Sequence, residues 1–200
     1  MSARVVVFAK APVPGSAKTR LIPALGAEGA AALAREMLER TLTAALAAGL
    51  DSVELCVDPA PQDPAWAGVS LPAGLVLSAQ GTGDLGQRMA RAAQRALAAT
   101  ERVLLIGTDC VEMTPALLRG ATRALDSADG FMHATADGGY ALLGLRRFDR
   151  SLFEDIAWSS SAVADQTRAR FAALGWKLGE GERLHDVDLP ADLLLWRARA

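Results

Sequence analysis

Lysine is nearly absent from this chain: of 200 residues only Lys10, Lys18 and Lys177 are lysine. Cysteine is as scarce. Cys56 and Cys110 are too few for a disulfide framework, and both sit in apolar runs that read as buried strands, so reduced core thiols and a cytoplasmic setting are expected. No run reaches the roughly 18 apolar residues of a membrane span. The apolar stretch near the N-terminus is broken by Lys10, unlike a secretory signal. Neither sign of charge is in surplus: a formal net charge of −2 argues against a general nucleic-acid or membrane-surface binder. What remains, 51% hydrophobic and 22% charged, suits one compact domain over residues 1–200 with a sizeable core.

Apolar runs alternate with helical patterns. Val5-Val6-Val7 reads as a buried strand, Glu28 to Ala48 as a long amphipathic helix ended by Gly49, and Ser52–Val57 as a second strand. Leu75–Ser78 is a third strand, Leu85–Ala99 a helix and Arg102–Ile106 a fourth strand. Thr114-Pro115 then supplies an N-cap and a proline at the first helical position. This βαβ rhythm predicts a largely parallel sheet covered on both faces. After Asp126 the pattern changes to two short strands, Gly130–Ala134 and Tyr140–Leu145. Helical patterns follow around Leu152 and over Ala162–Leu174, then a short strand near Arg183-Leu184 and a helix from Pro190. A mixed sheet is expected.

The first strand leads into Phe8-Ala9-Lys10-Ala11-Pro12-Val13-Pro14-Gly15-Ser16-Ala17-Lys18-Thr19-Arg20-Leu21. Two of the three lysines fall here beside Arg20. The prolines restrict the backbone, and Gly15 permits a tight turn or a close approach to a ligand. A stiff cationic loop leaving the carboxyl end of a strand suits the phosphates of a nucleotide. Its alternative is a solvated surface loop.

Leu104-Leu105-Ile106-Gly107-Thr108-Asp109-Cys110 places Asp109 at the carboxyl end of a strand, where open α/β sheets bind ligands. There it is a candidate Mg²⁺ ligand, or a cap before the Thr114 helix. His185-Asp186-Val187-Asp188 puts Asp186 and Asp188 on one face if the segment is extended. Carboxylates that close repel unless a cation or a proton lies between them, so with Asp109 they are candidates for a divalent-metal site. They serve equally well as helix-start acids.

Gly81-Thr82-Gly83-Asp84-Leu85-Gly86-Gln87-Arg88 is a glycine-rich entry into a helix, with Asp84 as its N-cap. It admits a flat ligand or simply forms a turn. Asp137-Gly138-Gly139-Tyr140 is a hairpin turn or a polar pocket wall, and Trp158-Ser159-Ser160-Ser161 offers an aromatic face with hydroxyls or a helix-cap cluster.

Taken in order, these motifs resemble a bacterial glycosyltransferase-like family of the nucleotide-diphospho-sugar transferase superfamily, over nearly the whole chain. The first loop is also similar to that of 2-phospholactate guanylyltransferases. The resemblance implies an α/β GT-A fold, three-layer α/β/α with a mostly parallel mixed sheet. It implies a nucleotide held by Ala9, Lys10, Pro14, Gly15, Lys18, Arg20, Gln80, Gly81, Gly83, Asp84 and Arg88, and Mg²⁺ or Mn²⁺ on Asp109, Asp186 and Asp188. Asp137, Gly138, Gly139, Tyr140 and Trp158 would line an acceptor or sugar pocket, with Lys10, Lys18, Arg20 and Asp109 catalytic. The partners implied are a nucleotide-sugar or nucleoside triphosphate donor and a small-molecule acceptor, with no nucleic acid. Three activities follow as expectations: glycosyl transfer foremost, then nucleotidylyl transfer with loss of pyrophosphate, then nucleotide binding without turnover. The chain departs from the family pattern at Val111-Glu112-Met113, at His133-Ala134-Thr135, which is expected to alter the sugar or acceptor pocket, and at Leu189, which leaves Asp188 as a candidate cap for the last helix.

Overall fold

The computed structural model describes residues 2–199. The strands are β1 (Ala3–Lys10), β2 (Ser52–Asp58), β3 (Leu75–Ala79), β4 (Arg102–Ile106), β5 (Gly130–Ala134), β6 (Tyr140–Leu145) and β7 (Leu178–Glu180). The helices are α1 (Ile22–Ala47), α2 (Leu85–Leu97), α3 (Pro115–Ala124), α4 (Val163–Ala173) and α5 (Leu193–Arg199).

The strands form one sheet in the order β3-β2-β1-β4-β6-β5-β7. The pairings β1–β2, β1–β4, β2–β3 and β5–β7 are parallel; β6 alone runs against its neighbours β4 and β5. The carboxyl ends of β1, β4 and β5 therefore meet the start of β6 at one edge of the sheet.

Val5, Val6 and Val7 are fully buried because β1 is covered on both faces. Val5 and Val7 pack with Leu38 and Leu42 of α1 and Leu118 of α3. Val6 points the other way, toward Met89 and Ala93 of α2 and Phe171 of α4. Each such side chain contributes about 1.5–3 kcal/mol by leaving water, so an uninterrupted apolar run marks a strand covered on two sides. This is the expected three-layer α/β/α arrangement with a mostly parallel mixed sheet.

The long first helix is broken at Gly26 (φ 72°, ψ 167°), so its regular part begins close to the expected Glu28 start. Asp84 caps α2 by accepting from Gln87 N at 2.8 Å, and Thr114 caps α3 by accepting from Leu117 N at 3.3 Å, both as read from sequence. The strand expected near Arg183-Leu184 is not one. The last strand is Leu178–Glu180, and Leu184 and Asp186 make only isolated bridges, to Thr135 and Cys110. Residues 184–188 cross the carboxyl ends of β5 and β4 instead of running along a neighbour, so no ladder forms. Among the described residues, no helix is long and apolar enough to cross a membrane. Cys56 and Cys110 are buried and unpaired.

Candidate active site

The carboxyl edge of the sheet opens into a cleft of about 730 Å³. β1 delivers Phe8 and Lys10 to it, the loop after β1 Ser16, Lys18, Thr19 and Arg20, and the end of β4 Gly107 and Asp109. The crossing segment adds Asp186 and Asp188, the β5–β6 turn Asp137, Gly139 and Tyr140, and the segment before α4 Trp158 with its three serines.

The cationic loop is built by local turns. Ser16 N and Ala17 N both donate to Val13 O at 3.0 Å, and Gly15 adopts φ 80°, a conformation glycine takes without penalty. Lys18 also lies in the left-handed region, at φ 47° and ψ 45°, and opens a single 3₁₀ turn over Thr19–Leu21. Leu21 is fully buried beside Val187 in a small core with Met37 and Trp196. That core fastens the loop to the crossing segment and brings Lys18 onto it.

Lys18 Nζ lies 2.8 Å from Asp109 Oδ1 and 3.0 Å from Asp188 Oδ1, and donates to Val187 O at 2.6 Å. The lysine side chain is 9% exposed, against 40% and 39% for its two carboxylates. Burial pushes the ammonium down, but the charges of Asp109 and Asp188 and its hydrogen bonds to them outweigh burial, and it is held above the usual lysine range. Asp186 is pushed up to about 7, by burial first and then by the charges of Asp109, Asp137 and Asp188, with Lys18 opposing. The mutual repulsion of the acids is thus met by a lysine on one side and by partial protonation on the other.

The crossing segment is held from both ends of the β4 loop. Val187 N donates to Asp109 O at 2.9 Å, and His185 N donates to Glu112 Oε2 at 2.8 Å. Glu112 thus works outside the cleft. Asp188 is no cap: Asp192 accepts from Asp188 N at 3.0 Å and from Leu189 N at 2.8 Å, which leaves the Asp188 carboxylate for Lys18. On the opposite wall, Asp137 Oδ1 accepts from Thr135 Oγ1 at 2.5 Å and from Gly139 N at 3.1 Å, so the hairpin turn and the polar wall are one feature. Trp158 meets Tyr140 edge-on, with ring centroids 6.5 Å apart. Burial raises the Tyr140 phenol well above its ordinary range, so it stays protonated.

Lys10, Lys18, Arg20, Asp109, Asp137, Gly139, Tyr140, Trp158, Asp186 and Asp188 all line the cleft. The remaining expected residues lie behind its surface or beside it. Ala9 is buried, and its carbonyl accepts from Gln80 Nε2 at 3.1 Å. Gln80 also donates to Cys56 O at 3.1 Å, tying the end of β3 to its neighbours. Arg88 bridges Asp58 Oδ2 at 2.8 Å and Gly83 O at 2.9 Å. Asp84 is engaged as a cap, Gly81 packs against Arg91, Gly138 O accepts from Ala164 N at 2.9 Å, and Pro14 and Gly15 are exposed on the outer side of the loop. At the departure, His133 and Thr135 are buried and neither lines the cleft, but Thr135 reaches its wall through the hydrogen bond to Asp137. Sequence reasoning missed Ser16, Thr19, Leu85 and Met89 as lining residues. The first two belong to the loop already singled out; the last two look like ordinary helix positions.

Among the described residues, no three His, Cys, Asp or Glu side chains come together as a set able to hold a metal by themselves. The expected trio reaches the cleft, but the Lys18 ammonium sits between Asp109 and Asp188. The donor chemistry still fits a hard cation. Two carboxylate oxygens converge on one positive charge, and Mg²⁺ commonly takes one or two carboxylates with the rest of its shell from phosphate and water.

The model of a family described as "Uncharacterized protein conserved in bacteria (DUF2064)" matches residues 41–160. The chain belongs to the DUF2064 family. No curated protein matches it. Among solved structures, this DUF2064 chain is similar to a protein of Desulfovibrio desulfuricans G20 provisionally named a nucleotide-diphospho-sugar transferase. The two are 31% identical over 99% of this chain and 88% of that one, with a TM-score of 0.89. A nucleotidyl transferase of Methanothermobacter thermautotrophicus shares the fold at 19% identity, covering 99% and 96%, with a TM-score of 0.61. So does Rv0371c of Mycobacterium tuberculosis H37Rv in a complex with manganese, at 19% identity, full coverage of both chains (100% and 100%) and a TM-score of 0.56. The fold of this DUF2064 chain is that of the nucleotide-diphospho-sugar transferases.

Proposed function

We propose that this protein is a metal-assisted transferase acting on an activated nucleotide, and foremost a glycosyltransferase that moves a sugar from a nucleotide-diphospho-sugar to a small acceptor. The observation that carries the proposal is the meeting, in one cleft, of three cations, Lys10 at the end of β1 with Lys18 and Arg20 on the loop after it, and three carboxylates, Asp109 after β4 with Asp186 and Asp188 of the crossing segment.

Departure of a nucleoside diphosphate builds negative charge on its phosphates. Lys10 and Arg20, exposed at the mouth of the cleft, are placed to meet that charge, with no need to reorganise solvent as it forms. Asp109 and Asp188 would hold the divalent cation, which when bound supplies Lewis-acid neutralisation of the same phosphates. Asp137, Tyr140 and Trp158 form the wall for the group that is moved or its acceptor. Trp158 offers an apolar face, Asp137 accepts hydrogen bonds from hydroxyls, and the protonated Tyr140 packs behind. The likeness to the D. desulfuricans protein supports a nucleotide-sugar donor. A second reading, nucleotidylyl transfer from a nucleoside triphosphate, is favoured by the fold shared with the Methanothermobacter enzyme; it needs the same loop and the same carboxylates.

A thermal-shift panel tests both, with UDP- and GDP-sugars set against the four nucleoside triphosphates, each with and without Mn²⁺. A ligand at about 100 times its Kd stabilises by about 2.7 kcal/mol, which in a chain of this size raises Tm by about 5–10 °C. Metal-dependent stabilisation by a nucleotide sugar alone, lost in Asp109→Asn, is the expected result. Preference for one triphosphate selects the second reading. No shift with any nucleotide overturns the assignment of the cationic loop.

A further inference from the structure

An ammonium has three N–H donors and no acceptor. In this structure all three of those on Lys18 have a partner: Asp109 Oδ1 at 2.8 Å, Asp188 Oδ1 at 3.0 Å and Val187 O at 2.6 Å. None is left for a phosphate. Equally, the two carboxylates that would receive a divalent cation already converge on a positive charge. While this arrangement lasts, Lys18 has no donor left for the nucleotide, and no divalent cation can sit between the converging Oδ1 atoms of Asp109 and Asp188.

Resting on the functional reading above, we infer that Lys18 is an exchangeable internal cation: it occupies the divalent-cation position between Asp109 and Asp188, and leaves it for the nucleotide phosphates when the metal enters. Three observations carry this. The lysine is the buried member of the trio and the carboxylates are the half-exposed ones, so the acids are open to the cleft for a replacement charge. Lys18 is held at φ 47° and ψ 45°, a strained backbone for a residue with a side chain, immediately before a single 3₁₀ turn; such strain gathers at positions that switch. Finally, no third His, Cys, Asp or Glu completes a metal set among the described residues. The cation thus depends on phosphate oxygens for its shell, and the phosphate depends on the cation to release Lys18. Each ligand lowers the cost of the other, so the two bind with positive coupling, reciprocal by linkage.

Metal alone must then displace Lys18 with nothing to receive it, and should bind weakly. Lys18→Met removes the occupant and leaves two carboxylates facing each other. In EDTA this variant should melt below the wild type, and Mn²⁺ alone should restore it, with a Tm rise of about 5 °C or more against about 1 °C for the wild type. Direct titration followed by the electron paramagnetic resonance of free Mn²⁺ should give at least tenfold tighter binding to Lys18→Met. The double variant Lys18→Met/Asp109→Asn relieves the repulsion, so it should regain stability in EDTA and lose the Mn²⁺ response; it also keeps the test open if the single variant folds poorly. Equal Mn²⁺ affinity in wild type and Lys18→Met overturns the exchange. If the nucleotide panel is positive, only the exchange falls; if the panel is silent as well, the functional reading falls with it.

Discussion

Asp186 shows how one side chain inherits its chemistry from a crowd. Its carboxyl titrates near 7 because it is buried and faces Asp109, Asp137 and Asp188. In the unfolded chain the group titrates near 4. A raised folded pKa on an acid means that the native state holds the extra proton between those values, so stability falls as pH rises from about 4 to about 7. Asp186→Asn abolishes that loss. In EDTA, its Tm advantage over the wild type should be near zero at pH 4 and grow to several degrees by pH 7.5; an advantage independent of pH would remove the charge cluster as its cause. The acids themselves were readable as candidates, since Asp-Val-Asp alternation brings both into the cleft. Their counter-ion was not: Lys18 and Asp188 lie 170 positions apart, and nothing local marks the pair.

At the scale of elements, helix caps and strands were legible wherever one residue type serves one local need. Asp84 and Thr114 cap as read, and β4, β5 and β6 begin and end where their apolar runs do. The short strand β7 was not legible: Leu178-Gly179-Glu180 has too little apolar alternation to announce itself. Gly86 is another case. As part of a glycine-rich entry it suggested room for a flat ligand, but a Cβ there would stand 2.4 Å from Phe153 O and 2.6 Å from Trp158 Nε1. The glycine lets α2 press against the cleft wall. On an open helix face Gly→Ala would stabilise by up to about 1 kcal/mol. Here overpacking makes Gly86→Ala destabilising by about 1–3 kcal/mol. Urea denaturation gives the sign, and a shift of Trp158 fluorescence should accompany it.

For the whole molecule, the decisive feature is a segment that belongs to no regular element. Residues 184–188 cross the carboxyl ends of β5 and β4, tethered by single bridges to Thr135 and Cys110, by Val187 in a small core, and by Glu112. Glu112 does not line the cleft, yet its carboxylate accepts from His185 N. A hydrogen bond to a charged group contributes about 1.5–3 kcal/mol. Glu112→Ala should therefore speed amide exchange at residues 185–188 and weaken nucleotide-induced stabilisation at least threefold in apparent affinity, with the sheet amides unchanged; protected 185–188 amides would show that the core at Val187 suffices. By itself the sequence determined the layers, the sheet's parallel first half, the cationic loop and the identity of the acids, because apolar period, capping chemistry and charge are properties of neighbours along the chain. Only the tertiary structure decided that Asp109, Asp188 and Lys18 share one cation position. Coulomb attraction and burial act over ångströms in space, and the fold alone sets which distant residues come that close.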